Sequence, residues 1–237
     1  MMRTVVALLS TEKHYLEFDA YRQWNMSEQS PSGVATSTLQ LSKLVRDICP
    51  PTPADKNERI MAELEKILSQ SRVRSDAPIL FLEQVMSIMY RHLDFSELAV
   101  AFKDPRDGLF RYIAFMGMRR DAENAYRKLA YNTDDVFSQS KYPRIKCTPS
   151  VDFFPSELRP ERDGEIETFN RPGLLGQQRT SLDILQEGDY FCAYLQSQRG
   201  ELMGWFDLAR TKDGRFPSGS SLRWLNFICT VVGKVIA

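Results

Sequence analysis

Cys147 is the first residue to weigh for chemistry, because Arg144 and Lys146 stand beside it. Nearby positive charge favours the thiolate, the reactive form of cysteine. The plainer reading is an ordinary loop cysteine. Cys49, Cys192 and Cys229 are far from it in sequence, and there is no C-x-x-C. The spacing suits neither a zinc site nor a disulfide framework and points to a reducing cytoplasm. His14 and His92 are the only histidines. Two separated histidines without a cysteine partner do not make a metal site. No nucleophile elbow, phosphate loop or G-x-G-x-x-G run is present, and no catalytic residue is assigned.

Two further groups could bind rather than react. Arg171 and Arg179 flank Gly173 and Gly176 in a long irregular stretch. Arginine makes bidentate contacts to carboxylate or phosphate, so the pair could hold an anionic ligand group; pairing with nearby acids is the alternative. Tyr112, Phe153, Phe154 and Trp205 could line an apolar pocket wall, or simply fill a core.

These residues need elements to position them. The 237 residues carry 31 Lys+Arg and 31 Asp+Glu, a formal charge of zero. That balance argues against a nucleic-acid or anionic-membrane partner. No apolar run approaches the roughly 18–20 residues that span a bilayer. Residues 1–75 read as a mainly helical extension. It has a short strand over 3–9, a short helix over 11–24, a polar linker over 25–38 and a helix stopped by Pro50-Pro51. A second helix follows, with Thr52 as its N-cap and Asp55 completing a T-x-x-D box. Residues 76–237 change texture and form the main domain. Leu82, Val85, Met86, Met89 and Leu93 mark a helix. Leu98, Val100 and Phe102, then Phe110, Tyr112, Ala114 and Met116, alternate as two strands around the Asp104–Gly108 turn. A helix is expected over 120–131, a strand near 151–154 and a short capped helix from Thr180 to Gln186. A second hairpin turns at Gln198-Arg199-Gly200, and a final helix opens at Pro217-Ser218. Its buried face is Leu222, Leu225, Ile228, Val232 and Val235.

The stretch Glu187-Gly188-Asp189-Tyr190, Gly200-Glu201-Leu202-Met203-Gly204-Trp205 and Lys212-Asp213-Gly214-Arg215-Phe216-Pro217-Ser218 resembles the GAF domain family, as does the run 121–129. The resemblance covers about residues 79–237. It implies an α+β fold: an antiparallel sheet with helices packed on one face and a long loop region on the other. A small-molecule pocket would lie between sheet and loops, lined by Tyr112, Cys147, Phe153, Phe154, Arg171, Arg179 and Trp205. It also implies homodimerisation through the first and last helices. Gly204, mid-strand, should admit a close neighbour. The chain departs from several GAF subclasses. Thr148 follows Cys147 where bilin-binding members place His, the phosphodiesterase signature N-K-x-x-[DE] is missing, and the cysteines do not match the sulfoxide-reductase pattern. No cofactor is assigned.

Three functions remain open on these grounds. The first is a small-molecule-sensing or regulatory domain in signal transduction, working by ligand-dependent change at a helical dimer or partner interface. The chain ends on the last helix, so an output module is expected on a partner signalling protein. The second is a ligand-free scaffold for protein–protein interaction. The third is a small redox enzyme working through Cys147.

Overall fold

The computed structural model describes residues 43, 55–70, 78–158 and 164–237. The strand, helices and linker expected before residue 50, and Thr52, lie outside the described residues. The compact unit spans Pro53–Ala237.

Helix α1, Lys56–Gln70, is capped by Asp55, whose Oδ1 accepts the backbone N–H groups of Asn57 (2.7 Å) and Glu58 (2.9 Å). Ile60 and Leu64 face inward and are buried in the domain core. This helix therefore belongs with the compact unit, upstream of the boundary at 76 that the change in texture suggested. Helix α2, Pro78–His92, opens on proline, which suits a first helical position. It buries Phe81, Leu82, Val85, Met86, Ile88 and Met89. Glu63 of α1 accepts from His92 (3.0 Å) and Arg91 (3.2 Å) of α2, joining the two helices.

Strands β1 (Phe95–Lys103), β2 (Phe110–Met116), β3 (Ile145–Thr148), β4 (Val151–Phe154), β5 (Tyr190–Gln196) and β6 (Leu202–Thr211) form one sheet in the order β2-β1-β6-β5-β4-β3. All its pairings are antiparallel. Helix α5, Gly219–Val235, packs on β5, beside α1 and α2. One large apolar core lies between these helices and the sheet. The opposite face carries a second, aromatic-rich core under the short helices α3 (Arg120–Tyr126) and α4 (Thr133–Phe137) and the loop segments. An antiparallel sheet with helices on one face and loops on the other is the α+β arrangement that the GAF resemblance implied.

Two glycines let neighbouring elements approach closely. A Cβ on Gly204 would fall 2.3 Å from the Ala101 carbonyl oxygen of β1, and one on Gly233 would fall 2.4 Å from the Gln196 carbonyl oxygen of β5. The expected close approach at Gly204 is thus present, and α5 meets the sheet at Gly233 in the same way.

Three local expectations need correction. The helix over 120–131 stops at Tyr126, because Tyr131 pairs its backbone with Phe110 (2.8 and 3.1 Å). The capped helix from Thr180 does not form. Instead, Ile184 bridges Arg215, and Phe216 N–H donates to Asp183 O (2.9 Å), so the segment pairs with the turn before α5. Finally, β2 does not alternate evenly: Ala101 opposes Tyr112 whereas Val100 opposes Ala114, leaving Ile113 as an extra residue. The bulge puts Tyr112 on one face and Ala114 on the other.

Candidate functional site

The loop-covered face of the sheet is laid out in rows of opposed residues. Asp152, Cys192, Asp207, Ala99 and Phe115 oppose one another across β4, β5, β6, β1 and β2. On one side of this row run Tyr194, Trp205, Ala101 and Tyr112, and on the other Phe154, Tyr190, Ala209 and Glu97. Side chains two apart on a strand share a face, so these rows make one floor. Small residues, Ala99, Ala101, Ala209 and Cys192, are interspersed on it with Trp205 and Asp207 of β6 and with the tyrosines of β2 and β5.

The roof comes from the irregular half of the chain. Tyr126 stands at the end of α3, Leu129 and Tyr131 follow it, and Val136 lies in α4. Asn132 caps α4 by accepting the Asp135 N–H (2.7 Å). Tyr142, Glu165 and Thr168 complete the cover. Glu165 accepts hydrogen bonds from the hydroxyls of Tyr142 (2.6 Å) and Tyr131 (3.0 Å), and the Thr168 hydroxyl donates to the Glu165 backbone carbonyl (2.6 Å). One buried carboxylate thus gathers three roof segments.

Between floor and roof lies a cavity of about 50 Å³. Tyr112, Tyr126, Tyr131, Tyr142, Tyr190 and Tyr194 line it, with Trp205, Phe154, Cys192, Asp207 and Glu165. Asp207 accepts from the Tyr112 hydroxyl and from Trp205 Nε1 (3.3 Å). Burial, with the Asp207 charge beside it, pushes the Tyr112 phenol far above its ordinary range. Burial likewise raises the Cys192 thiol, and Asp207 adds to it, so Cys192 is held as a neutral thiol. The Tyr194 hydroxyl is buried with no hydrogen-bond partner of good geometry. Its polar neighbour is the Cys192 thiol, a weak partner at best.

Of the seven residues singled out from sequence, Tyr112, Phe154 and Trp205 line this cavity. Phe153 points to the helix side, 4.9 Å from the Phe191 ring and 5.1 Å from Phe216, because it alternates with Phe154. Cys147 is exposed on the edge strand β3. Arg144, expected to favour its thiolate, instead donates to Asp152 (3.0 Å) and to the carbonyls of Val136 and Phe137. Partial desolvation by its neighbours, with Asp152 adding to it, pushes the Cys147 thiol up although its side chain is exposed. The two arginines are spent on intramolecular pairs. Arg171 makes a two-pronged contact to buried Glu187 (2.9 and 2.8 Å). Arg179 pairs with Glu157 (2.6 Å) and with fully buried Asp189 (2.9 Å), which also accepts the backbone N–H groups of Ser156 and Gln186. Both arginines tie loop segments together beside the end of β4 and the start of β5.

The remaining lining residues escaped the sequence reading. A signal existed for Asp207, a charge inside an otherwise apolar alternating strand, since such residues are rarely buried without a purpose. Tyr190, Cys192 and Tyr194 share one parity of β5 and could have been found with it.

No protein-family model and no curated protein matches the chain. Among solved structures it is similar to the GAF domain/HD domain protein from Geobacter sulfurreducens. The identity is 14%, the TM-score 0.47, and the match covers 68% of this chain and 92% of that one. It is also similar to the GAF domain from Acinetobacter phosphoenolpyruvate-protein phosphotransferase (15%, TM-score 0.40, 84% and 93% covered). A third is the A. aeolicus nlh2 GAF domain in an inactive state (15%, TM-score 0.43, 76% and 93% covered). By its own strand order, helix layer and roofed opposite face, the unit is a GAF-like α+β domain.

Proposed function

We propose that this chain is a small-molecule-sensing regulatory domain whose ligand occupies the tyrosine-lined cavity. The observation that carries this reading is the Tyr194 hydroxyl, buried at the cavity wall with only the Cys192 thiol, a weak partner, beside it. Such a group costs about 1–3 kcal/mol until something polar meets it. A ligand touching both floor and roof would favour one arrangement of the roof segments over others and shift their populations. The change would be read at the other face of the sheet. Homodimerisation through the first and last helices is part of the proposal, supported by exposed Ile79 and Leu80 on α2 and Phe227 on α5. A partner signalling protein would take the output. The setting is the cytoplasm, supported by the free thiols of Cys147, Cys192 and Cys229.

One observation favours the scaffold reading instead. The cavity is small and largely filled by its own rings. A thermal-shift screen of metabolites against the full chain separates the two, because a ligand that binds the native state raises its apparent stability. Sensing requires at least one chemical class to raise the unfolding midpoint in a saturable way, and a response lost on filling the cavity with Cys192→Phe. A flat screen leaves the scaffold reading.

A further inference from the structure

A second, wider concavity opens beside α3. It is a groove of about 440 Å³. One wall is α3 with the residues that follow it, and the other is residues 167–172. Ala122 and Ala125 stand three apart on α3, so they lie on one face, and both are buried. The chain leaves the helix by a tightened turn, in which Lys128 N–H donates to the Ala125 carbonyl (3.0 Å), and Lys128 stays on the groove side. The two walls are stitched at one end. The buried Asn170 side chain accepts the Arg119 N–H (2.7 Å) and donates to the Gly117 carbonyl (3.2 Å). The Arg119 guanidinium donates back to the Asn170 carbonyl (3.1 Å). The fold's own hydrogen bonds therefore hold the groove open, with alanine side chains and Pro172 lining it.

The charges of the groove fall into two sets. Arg119 and Asp121 stand 3.9 Å apart at the stitched end and answer each other. Lys128 and Glu167 do not. Among the described residues, neither the Lys128 ammonium nor the Glu167 carboxylate has an ion pair or a side-chain hydrogen bond. They belong to opposite walls and do not close on each other. Asn124 adds an amide that can both donate and accept. A purely anionic ligand would meet Glu167, and a purely cationic one would meet Lys128. An uncharged one would cover both charges without pairing them, which costs free energy. A zwitterion with an apolar body meets none of these objections. Size narrows the ligand further. At about 30 Å³ per water-sized atom, the groove has room for roughly fifteen non-hydrogen atoms. A tripeptide of small residues is of that size, whereas a free amino acid would leave much of the space to water.

We infer that this groove is a second binding site, which takes a short peptide as its zwitterion. The α-ammonium group faces Glu167, the carboxylate faces Lys128, and the peptide body lies over Ala122 and Ala125 beside Pro172. The small side chains let a peptide backbone come close, and Asn124 offers its amide to the peptide's own. The site is independent of the tyrosine cavity, although α3 serves both by lending Tyr126 to that one.

The test titrates trialanine into the full isotope-labelled chain, followed by NMR at fixed ionic strength. Saturable shifts should centre on residues 119–128 and 167–172. Blocking one terminus, as in acetyl-trialanine or trialanine amide, should weaken binding by about three- to fivefold, the upper worth of an exposed ion pair. Lys128→Gln should weaken trialanine by the same factor but leave trialanine amide, which has no carboxylate, unchanged. Glu167→Gln should weaken trialanine but not acetyl-trialanine, which has no ammonium group. Both residues are exposed, so both variants should fold. Free alanine should bind more weakly than trialanine. Equal binding of alanine or of the doubly blocked peptide, shifts centred elsewhere, or no saturable response overturns the peptide site. The Cys192→Phe chain, its tyrosine cavity filled, should bind trialanine as the parent does. Loss of binding in that chain, if folded, would place the peptide in the tyrosine cavity, which overturns the groove and keeps the ligand reading of the cavity.

Discussion

At the scale of single residues, the cavity trades stability for polarity. Tyr194 keeps a hydroxyl where a phenyl ring would pack as well, and the hydroxyl finds no good partner. Tyr194→Phe should therefore stabilise the ligand-free protein by about 1 kcal/mol, the low end of the cost of an orphaned buried group. Chemical denaturation measures this directly. If the variant is instead destabilised by a similar amount, the hydroxyl is already well satisfied and the argument from it fails. The neighbouring hydroxyls behave differently. Tyr131 and Tyr142 both donate to Glu165, so Tyr142→Phe removes a 2.6 Å bond to a buried carboxylate. It should cost about 1.5–3 kcal/mol, as hydrogen bonds to charged groups do. Opposite signs for two Tyr→Phe changes in one cavity would mark which hydroxyl serves the fold and which is left for something else.

At the scale of elements, the close seating of α5 on β5 depends on the missing side chain at Gly233. A methyl there would fall 2.4 Å from the Gln196 carbonyl oxygen, a backbone atom that cannot swing aside. Gly233→Ala should destabilise by about 1–3 kcal/mol, the range for overpacking, despite the better helix propensity of alanine. Gly173→Ala, where nothing lies within 4 Å, is the control and should be close to neutral in the same denaturation measurement. The elements also show what could be read in advance. The strands and the last helix were legible because alternation and the Pro217-Ser218 start are local signals; Ser218 indeed caps α5, its hydroxyl oxygen accepting the Ser221 N–H (3.2 Å). The bulge at Ile113 was not legible, since it depends on the register with β1. The roof tyrosines were not legible for a similar reason. Tyr131 and Tyr142 reach the cavity through a backbone pair to Phe110 and a shared bond to Glu165, both far off in sequence. Arg171 and Arg179 were visible as chemistry, but their partners Glu187 and Asp189 were visible only in three dimensions.

At the scale of the whole molecule, the helix layer and the roof answer to different tests. If α2 and α5 form the dimer face, Leu80→Asp with Phe227→Asp, both exposed in the single chain, should convert a dimer into a folded monomer in sedimentation. A chain already monomeric at high concentration removes the dimer from the proposal. Acid, by contrast, should loosen the ties that hold the layers in register. Asp94, at the junction of α2 and β1, accepts both the backbone N–H and the hydroxyl of Ser218 at the start of α5 (2.8 Å each). Burial alone would raise its carboxyl, but the Ser218 hydrogen bonds outweigh that and hold it below its ordinary 3.8. The Arg179 guanidinium lowers Glu157 from 4.5 to about 2. In both cases the unfolded chain takes up the proton first. The stability these carboxylates contribute is thus complete above the ordinary values and is lost as pH falls through the lowered ones. Glu97 works in the other direction: burial raises its carboxyl above 4.5, so mild acid favours the folded form at that site. Denaturation midpoints should therefore change little or rise slightly between pH 6 and pH 5, then fall below about pH 4. Glu157→Gln should flatten the acid limb by lowering the neutral side, and only by a small amount, since the Glu157 carboxylate is half-exposed and the pair is screened by solvent. Glu97→Gln should do the reverse, removing the rise on mild acidification. A midpoint that falls steadily from pH 7 would mean that neither the burial of Glu97 nor the loss of these two carboxylate ties sets the profile, and that other groups govern the response to acid.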